Sequence, residues 1–193
     1  MGGKAILAEI LDEAGKERYK AAALKEMQRL KADGLSNDPR KMREELPFLA
    51  ACDTRFGDKQ AYKLISRHYA QFHQQFFDRE TGLYHVPGCD EAEGLLLMTL
   101  ADTIEKMDMQ LYEHYRALAD MFLEAARGLI LHGTEPDAAA VYALLKGMRL
   151  GLLDEEKYLP IALKMKEALN NQETEFTDIS MLLEAEMREA GAK

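Results

Sequence analysis

Apolar residues recur at helical spacing along almost the whole chain, as in Ala5, Ile6, Ala8, Ile10 and Leu11, or Leu118, Met121, Phe122, Ala125 and Leu129. Strand-like alternation is nearly absent. This pattern predicts nine helices, over 3–14, 17–33, 40–56, 58–77, 90–106, 109–131, 136–150, 155–170 and 174–190, joined by short connections. Four tyrosines mark a longer period: Tyr19 follows Gly15, Tyr62 follows Gly57, Tyr112 follows Asp108, and Tyr158 follows Asp154. They lie about 43, 50 and 46 residues apart, the length of two helices plus loops, which predicts stacked helical hairpins. Asp58, Asp108 and Asp154 are the expected N-caps at three of these helix starts.

Small residues stand where close helix packing needs them: Ala21 to Ala23, Ala125 with Ala126, and Ala138 to Ala140. Pro47 and Pro160 predict kinks, or the true first turns of their helices. The stripe Tyr69, Phe72, His73 and Phe76 reads as packing.

Composition narrows the function. The 193 residues, 47% of them hydrophobic and 31% charged, suit one all-helical domain over 1–193. A net charge of -9 argues against a sequence-independent grip on nucleic acid, which Lys and Arg must supply, and against attraction to anionic membranes. No apolar run is long enough to span a bilayer, and the N-terminal stretch turns acidic before a signal-peptide core could form, so a cytoplasmic location is expected. Cys52 and Cys89 are the only cysteines and are expected to be free thiols.

The stretch "FFDRETGLYHVPGCDEAEG", residues 76–94, interrupts the helical pattern with His85, Cys89, Asp90, Glu91 and Glu93. Metal binding is not expected. His68 and His73, five residues apart, do not share a helix face, and no CxxC or HExxH partner exists. Glu113 and His114 have the wrong spacing for a helix-bundle di-metal site. No Gly-rich phosphate loop occurs, and Ser36, Ser66 and Ser180 all lack a nucleophile turn.

Three stretches resemble the unsaturated glucuronyl and rhamnogalacturonyl hydrolases, glycoside hydrolase families 88 and 105. They are "ELPFLAACDTRFGDKQAYKLISRHYAQFHQQFFDRETGLYH" (45–85), "EGLLLMTLADTIEKM" (93–107) and "AAAVYALLKGMRLGLLDEEKYLPIALKMKEAL" (138–169). The resemblance implies a partial α/α toroid, six-hairpin glycosidase-like but shortened to about four hairpins. In this family an aspartic acid protonates the C4=C5 bond of an unsaturated uronide and water adds, without metal or organic cofactor. That chemistry needs a carboxylic acid held neutral by burial or by a second carboxylate. Asp90 matches the family's aspartate, with His85 and Glu91 matching its neighbours and Tyr84 completing the expected substrate-binding set. Read alone, Asp90 equally suits the N-cap of the following helix.

The recognition chemistry departs from the family. Cys89 replaces the tryptophan before the aspartate, "EAEGL" (91–95) replaces an Arg-Gly-Asn-Gly-Trp motif, and the chain has no Trp to stack on a pyranose. A second acidic position is Lys41, with Asp38 three residues away. "TEPDAAA" (134–140) replaces a hydroxyl-bearing segment. The expected function is therefore a degenerate toroid module, non-catalytic, which binds an oligosaccharide or a protein or pairs with itself as a homodimer. The alternative is an active hydrolase of unsaturated uronyl oligosaccharides with Asp90 as general acid and base.

Overall fold

The computed structural model describes residues 13–133, 137–169 and 177–189; most of the helix predicted over 3–14 lies outside them. The described elements, in order, are α1 (Glu13–Asp33), α2 (Pro39–Phe56), α3 (Ala61–Phe76), β1 (Phe77–Asp78), β2 (Leu83–Tyr84), α4 (Ala92–Lys106), α5 (Tyr112–His132), α6 (Ala138–Arg149), α7 (Glu155–Leu169) and α8 (Thr177–Glu189). The other eight predicted helices are present with ends displaced by a few residues.

The even-numbered helices form one continuous layer, with α2 against α4, α4 against α6 and α6 against α8. The odd-numbered ones lie outside it: α1 and α3 on α2, α5 on α4 and α3, and α7 on α6. The sequence explains this division. "AEGLLLMTLADTIEK" is apolar around almost its whole circumference, so α4 must be covered on all faces, and it is buried without a break from Gly94 to Ala101. Its buried Thr99 and Thr103 hydroxyls donate to the Leu95 and Thr99 carbonyls, 2.6 and 2.7 Å away, so neither is left unpaired. The four spaced tyrosines all fall on outer helices, Tyr19 on α1, Tyr62 on α3, Tyr112 on α5 and Tyr158 on α7. They mark the hairpin period rather than a shared packing role, because Tyr62 is buried and Tyr112 is exposed.

The inner helices run parallel. Arg40 at the start of α2 meets Glu91 at the start of α4, 3.0 Å apart. At the other end, Arg149 of α6 binds Glu105 of α4 at 2.7 Å and Glu186 of α8 at 2.8 Å. The 34–38 and 77–91 connections and Asp137, each leading into an inner helix, therefore gather at one end.

Local chemistry corrects two of the three expectations about helix starts. Asp58 does not cap α3; the Ala61 amide donates instead to Oδ2 of buried Asp53, 2.7 Å away on the preceding helix. Asp108 takes the Gln110 amide in a turn and pairs with Lys59, so α5 begins only at Tyr112. Asp154 does accept the Lys157 amide at 3.1 Å, as an N-cap should. Pro47 lies inside α2, which starts at Pro39 behind an Asp38 cap, and Pro160 lies inside α7. The two-residue strands β1 and β2 pair antiparallel, Phe77 with Tyr84 and Asp78 with Leu83.

Candidate functional site

The site end is assembled from the 77–91 connection and the first turns of α2, α4 and α6. The turn of the hairpin is held by Asp78, whose Oδ1 accepts the Glu80 amide and whose Oδ2 accepts the Thr81 hydroxyl, both at 2.9 Å. Burial acts against ionising Asp78, but these bonds, the Glu80 amide first, hold its carboxyl below the ordinary range. Gly82 then turns with φ +73°, and its carbonyl oxygen lies 2.0 Å from where a Cβ on Gly128 of α5 would stand. Only glycine at 128 lets the hairpin lie on α5 in this way.

The four residues expected to form a site go to different places. Tyr84 is buried, its hydroxyl 2.8 Å from Nδ1 of His73 and its ring packed among Phe72, Phe77 and His73. Burial pushes the Tyr84 phenol well above its usual range. His85 is exposed, and its nearest charged partner is Asp78, 3.9 Å from Nε2. Glu91 is taken by Arg40, and the buried Cys89 thiol donates toward it at 3.8 Å. Asp90 is exposed and makes no hydrogen bond or ion pair among the described residues. Nor does Asp90 cap α4, because Glu91 holds the N-cap position, without a side-chain bond. Burial pushes the Cys89 thiol upward, so it offers no reactive thiolate.

The shielded carboxyl at this end is Glu93. Its Oε2 accepts the Tyr84 amide at 2.5 Å, while Oε1 is buried without a hydrogen-bond partner among the described residues. Burial, reinforced by the Asp137 charge, pushes its pKa up to about 8, so the side chain is mostly neutral at pH 7. Asp137 caps α6 by accepting the Ala140 amide at 2.7 Å, and burial together with Glu91 raises its pKa to about 6. Both oxygens of Asp137 lie against Gly94, where a Cβ would stand 2.2 and 2.3 Å away. The absent side chain at Gly94 thus makes room for the carboxylate that joins α6 to α4.

Sequence reasoning named Glu93 only as a member of the loop and passed over Asp137 as a cap. Glycine directly after Glu93, at the opening of an otherwise fully apolar helix, was the available signal for a close approach. Among the described residues no group of three or more His, Cys, Asp or Glu could hold a metal ion, and both cysteines are free.

Comparison with solved structures finds this all-α fold in a family 105 glycoside hydrolase from C. acetobutylicum ATCC 824, with a TM-score of 0.69 and 22% sequence identity. The likeness covers 91% of this chain and 64% of that one, so the chain spans less than two thirds of the hydrolase's length. No family model and no curated protein matches the sequence. The chain shares that all-α fold in shortened form, as the sequence resemblance implied.

Proposed function

We propose that this chain is a non-catalytic binding module on a glycoside-hydrolase-like scaffold, and that its ligand is an oligosaccharide. The observation that carries this reading is the separation of the two properties an acid catalyst must combine. Asp90 is accessible but exposed, and it has no partner among the described residues. Glu93 has the raised pKa, but its unbonded oxygen is buried and its other oxygen is occupied by the Tyr84 amide. Proton transfer requires a donor within hydrogen-bond reach of the reacting atom, and neither carboxyl meets that condition in a shielded site. Tyr84, which could have stacked on a sugar ring, is part of the core.

Self-association is the second part of the proposal. Leu163 of α7 and Met181 and Leu182 of α8 are exposed on the last two described helices, where the inner layer ends. A second copy of the chain supplies an apolar surface of matching chemistry.

The ligand is tested by titration calorimetry with short uronate-bearing and neutral oligosaccharides. Saturable heat with at least one of them is the expected result; no heat from either class at millimolar concentration would remove the oligosaccharide reading.

A further inference from the structure

A groove of about 750 Å³ lies between the α1–α2 connection and the outer face of α3. Leu35, Leu64 and Phe72 contribute its apolar surface, and Asn37, Arg67, His68, Gln71, Gln74 and Gln75 its polar groups. The polar residues of α3 follow helical spacing, with Arg67, Gln71, Gln74 and Gln75 at i, i+4, i+7 and i+8, so they share one face. An exposed helix face is normally polar because it is solvated. Two features set this one apart.

The first is that its wall is fixed. His68 is buried, and its Nε2 donates to the Ser36 carbonyl at 2.9 Å, while burial lowers its pKa and keeps the ring neutral. The Ser36 amide donates to Oε2 of Glu45 at 2.9 Å, and the Ser36 hydroxyl accepts the Asp38 amide at 3.1 Å. The 34–38 connection is thereby tied to α2 and α3 together. The second is that the other polar groups are uncommitted: among the described residues, Asn37, Arg67, Gln71, Gln74 and Gln75 have no hydrogen-bond or ion-pair partner. One guanidinium and four carboxamides, each able to donate and accept, face a cleft with an apolar floor.

We propose that this groove binds an oligosaccharide carrying a carboxylate, with Arg67 taking the carboxylate, the amides of Asn37, Gln71, Gln74 and Gln75 taking ring hydroxyls, and the floor at Leu35 and Leu64 receiving the apolar face of a sugar. Amides match hydroxyl groups because both donate and accept, and an arginine fork matches a carboxylate through two parallel bonds. The chain as a whole is acidic, so a specific cation in the groove, rather than net charge, must select the anionic ligand. The inference rests on the oligosaccharide reading above and gives it a lining that includes none of Tyr84, His85, Asp90 and Glu91.

Calorimetry with trigalacturonate and with a neutral trisaccharide, on the native chain, R67A, Q71A/Q75A and the site-end variant D90A/E91A, tests it. All substitutions are at exposed or half-buried positions, and circular dichroism checks that each variant is folded. Expected are tighter binding of trigalacturonate than of the neutral sugar, a loss of about tenfold in R67A for trigalacturonate alone, and a loss for both sugars in Q71A/Q75A, with D90A/E91A unchanged. Binding that survives R67A and Q71A/Q75A but is lost in D90A/E91A would overturn the groove and leave the oligosaccharide reading standing. Absence of binding to either sugar by the native chain would overturn both.

Discussion

Glu93 shows how a single buried atom changes the chemistry of a residue. Its carboxyl is raised above its unfolded value by burial and by Asp137, so the stability it contributes is fully present below about pH 4.5 and is lost as pH rises through about 8. Asp137 acts in the same direction, its contribution being lost as pH rises from about 4 through about 6. The melting temperature should therefore fall between pH 5 and pH 8, by an amount equivalent to about 5 kcal/mol, and E93Q should flatten the upper part of that fall. Thermal melts across this range check it; an equal slope in E93Q would show that Glu93 is not the titrating group. Such a residue is hard to read from sequence. Glu91 and Glu93 look alike in "DEAEG", yet one is paired with Arg40 and the other is shielded. What separates them is the approach of Asp137, more than forty residues away along the chain, onto Gly94. Asp90 was legible as a match to a family position, but its exposure depends on the path of the 85–91 connection, which no residue pattern specifies.

Helices, by contrast, are written in their own periodicity. The 3.6-residue recurrence of apolar positions was enough to place α2 through α8, and the uniformly apolar "GLLLMTLA" was enough to bury α4. Ends were less legible because caps can come from outside the helix, as Asp53 does for α3. The β1–β2 pair was missed because two-residue strands carry no alternation to detect. Parallel inner helices also depend on charge buried between them. Lys146 is buried with its Nζ 2.6 Å from Oδ1 of Asp102 and 2.9 Å from Oε2 of Glu105, so it neutralises two carboxylates of α4 from α6. Its apolar replacement K146M should cost about 3–5 kcal/mol in urea unfolding, since it leaves both acids without that cation. The double variant K146M/D102L should recover part of the loss; a cost below about 1 kcal/mol in K146M would mean that the network contributes little.

The whole molecule is a helical scaffold legible in the sequence. Its hairpin period was visible in the tyrosine spacing, and its fold is shared with a longer family 105 glycoside hydrolase. If the exposed Leu163, Met181 and Leu182 are covered by a second copy, sedimentation velocity should give a dimer, and M181E/L182E should shift it to monomer while keeping its helical spectrum. A native chain that stays monomeric at high micromolar concentration would remove the self-association proposal. The central proposal is that the end carrying Asp90 does not perform uronide hydration. It is tested most directly by following the ultraviolet absorbance of a Δ4,5-unsaturated uronyl disaccharide with the chain at high concentration. Constant absorbance over many hours is the expected result; a steady fall that is abolished in D90N would contradict the claim and restore Asp90 as the acid of an active hydrolase.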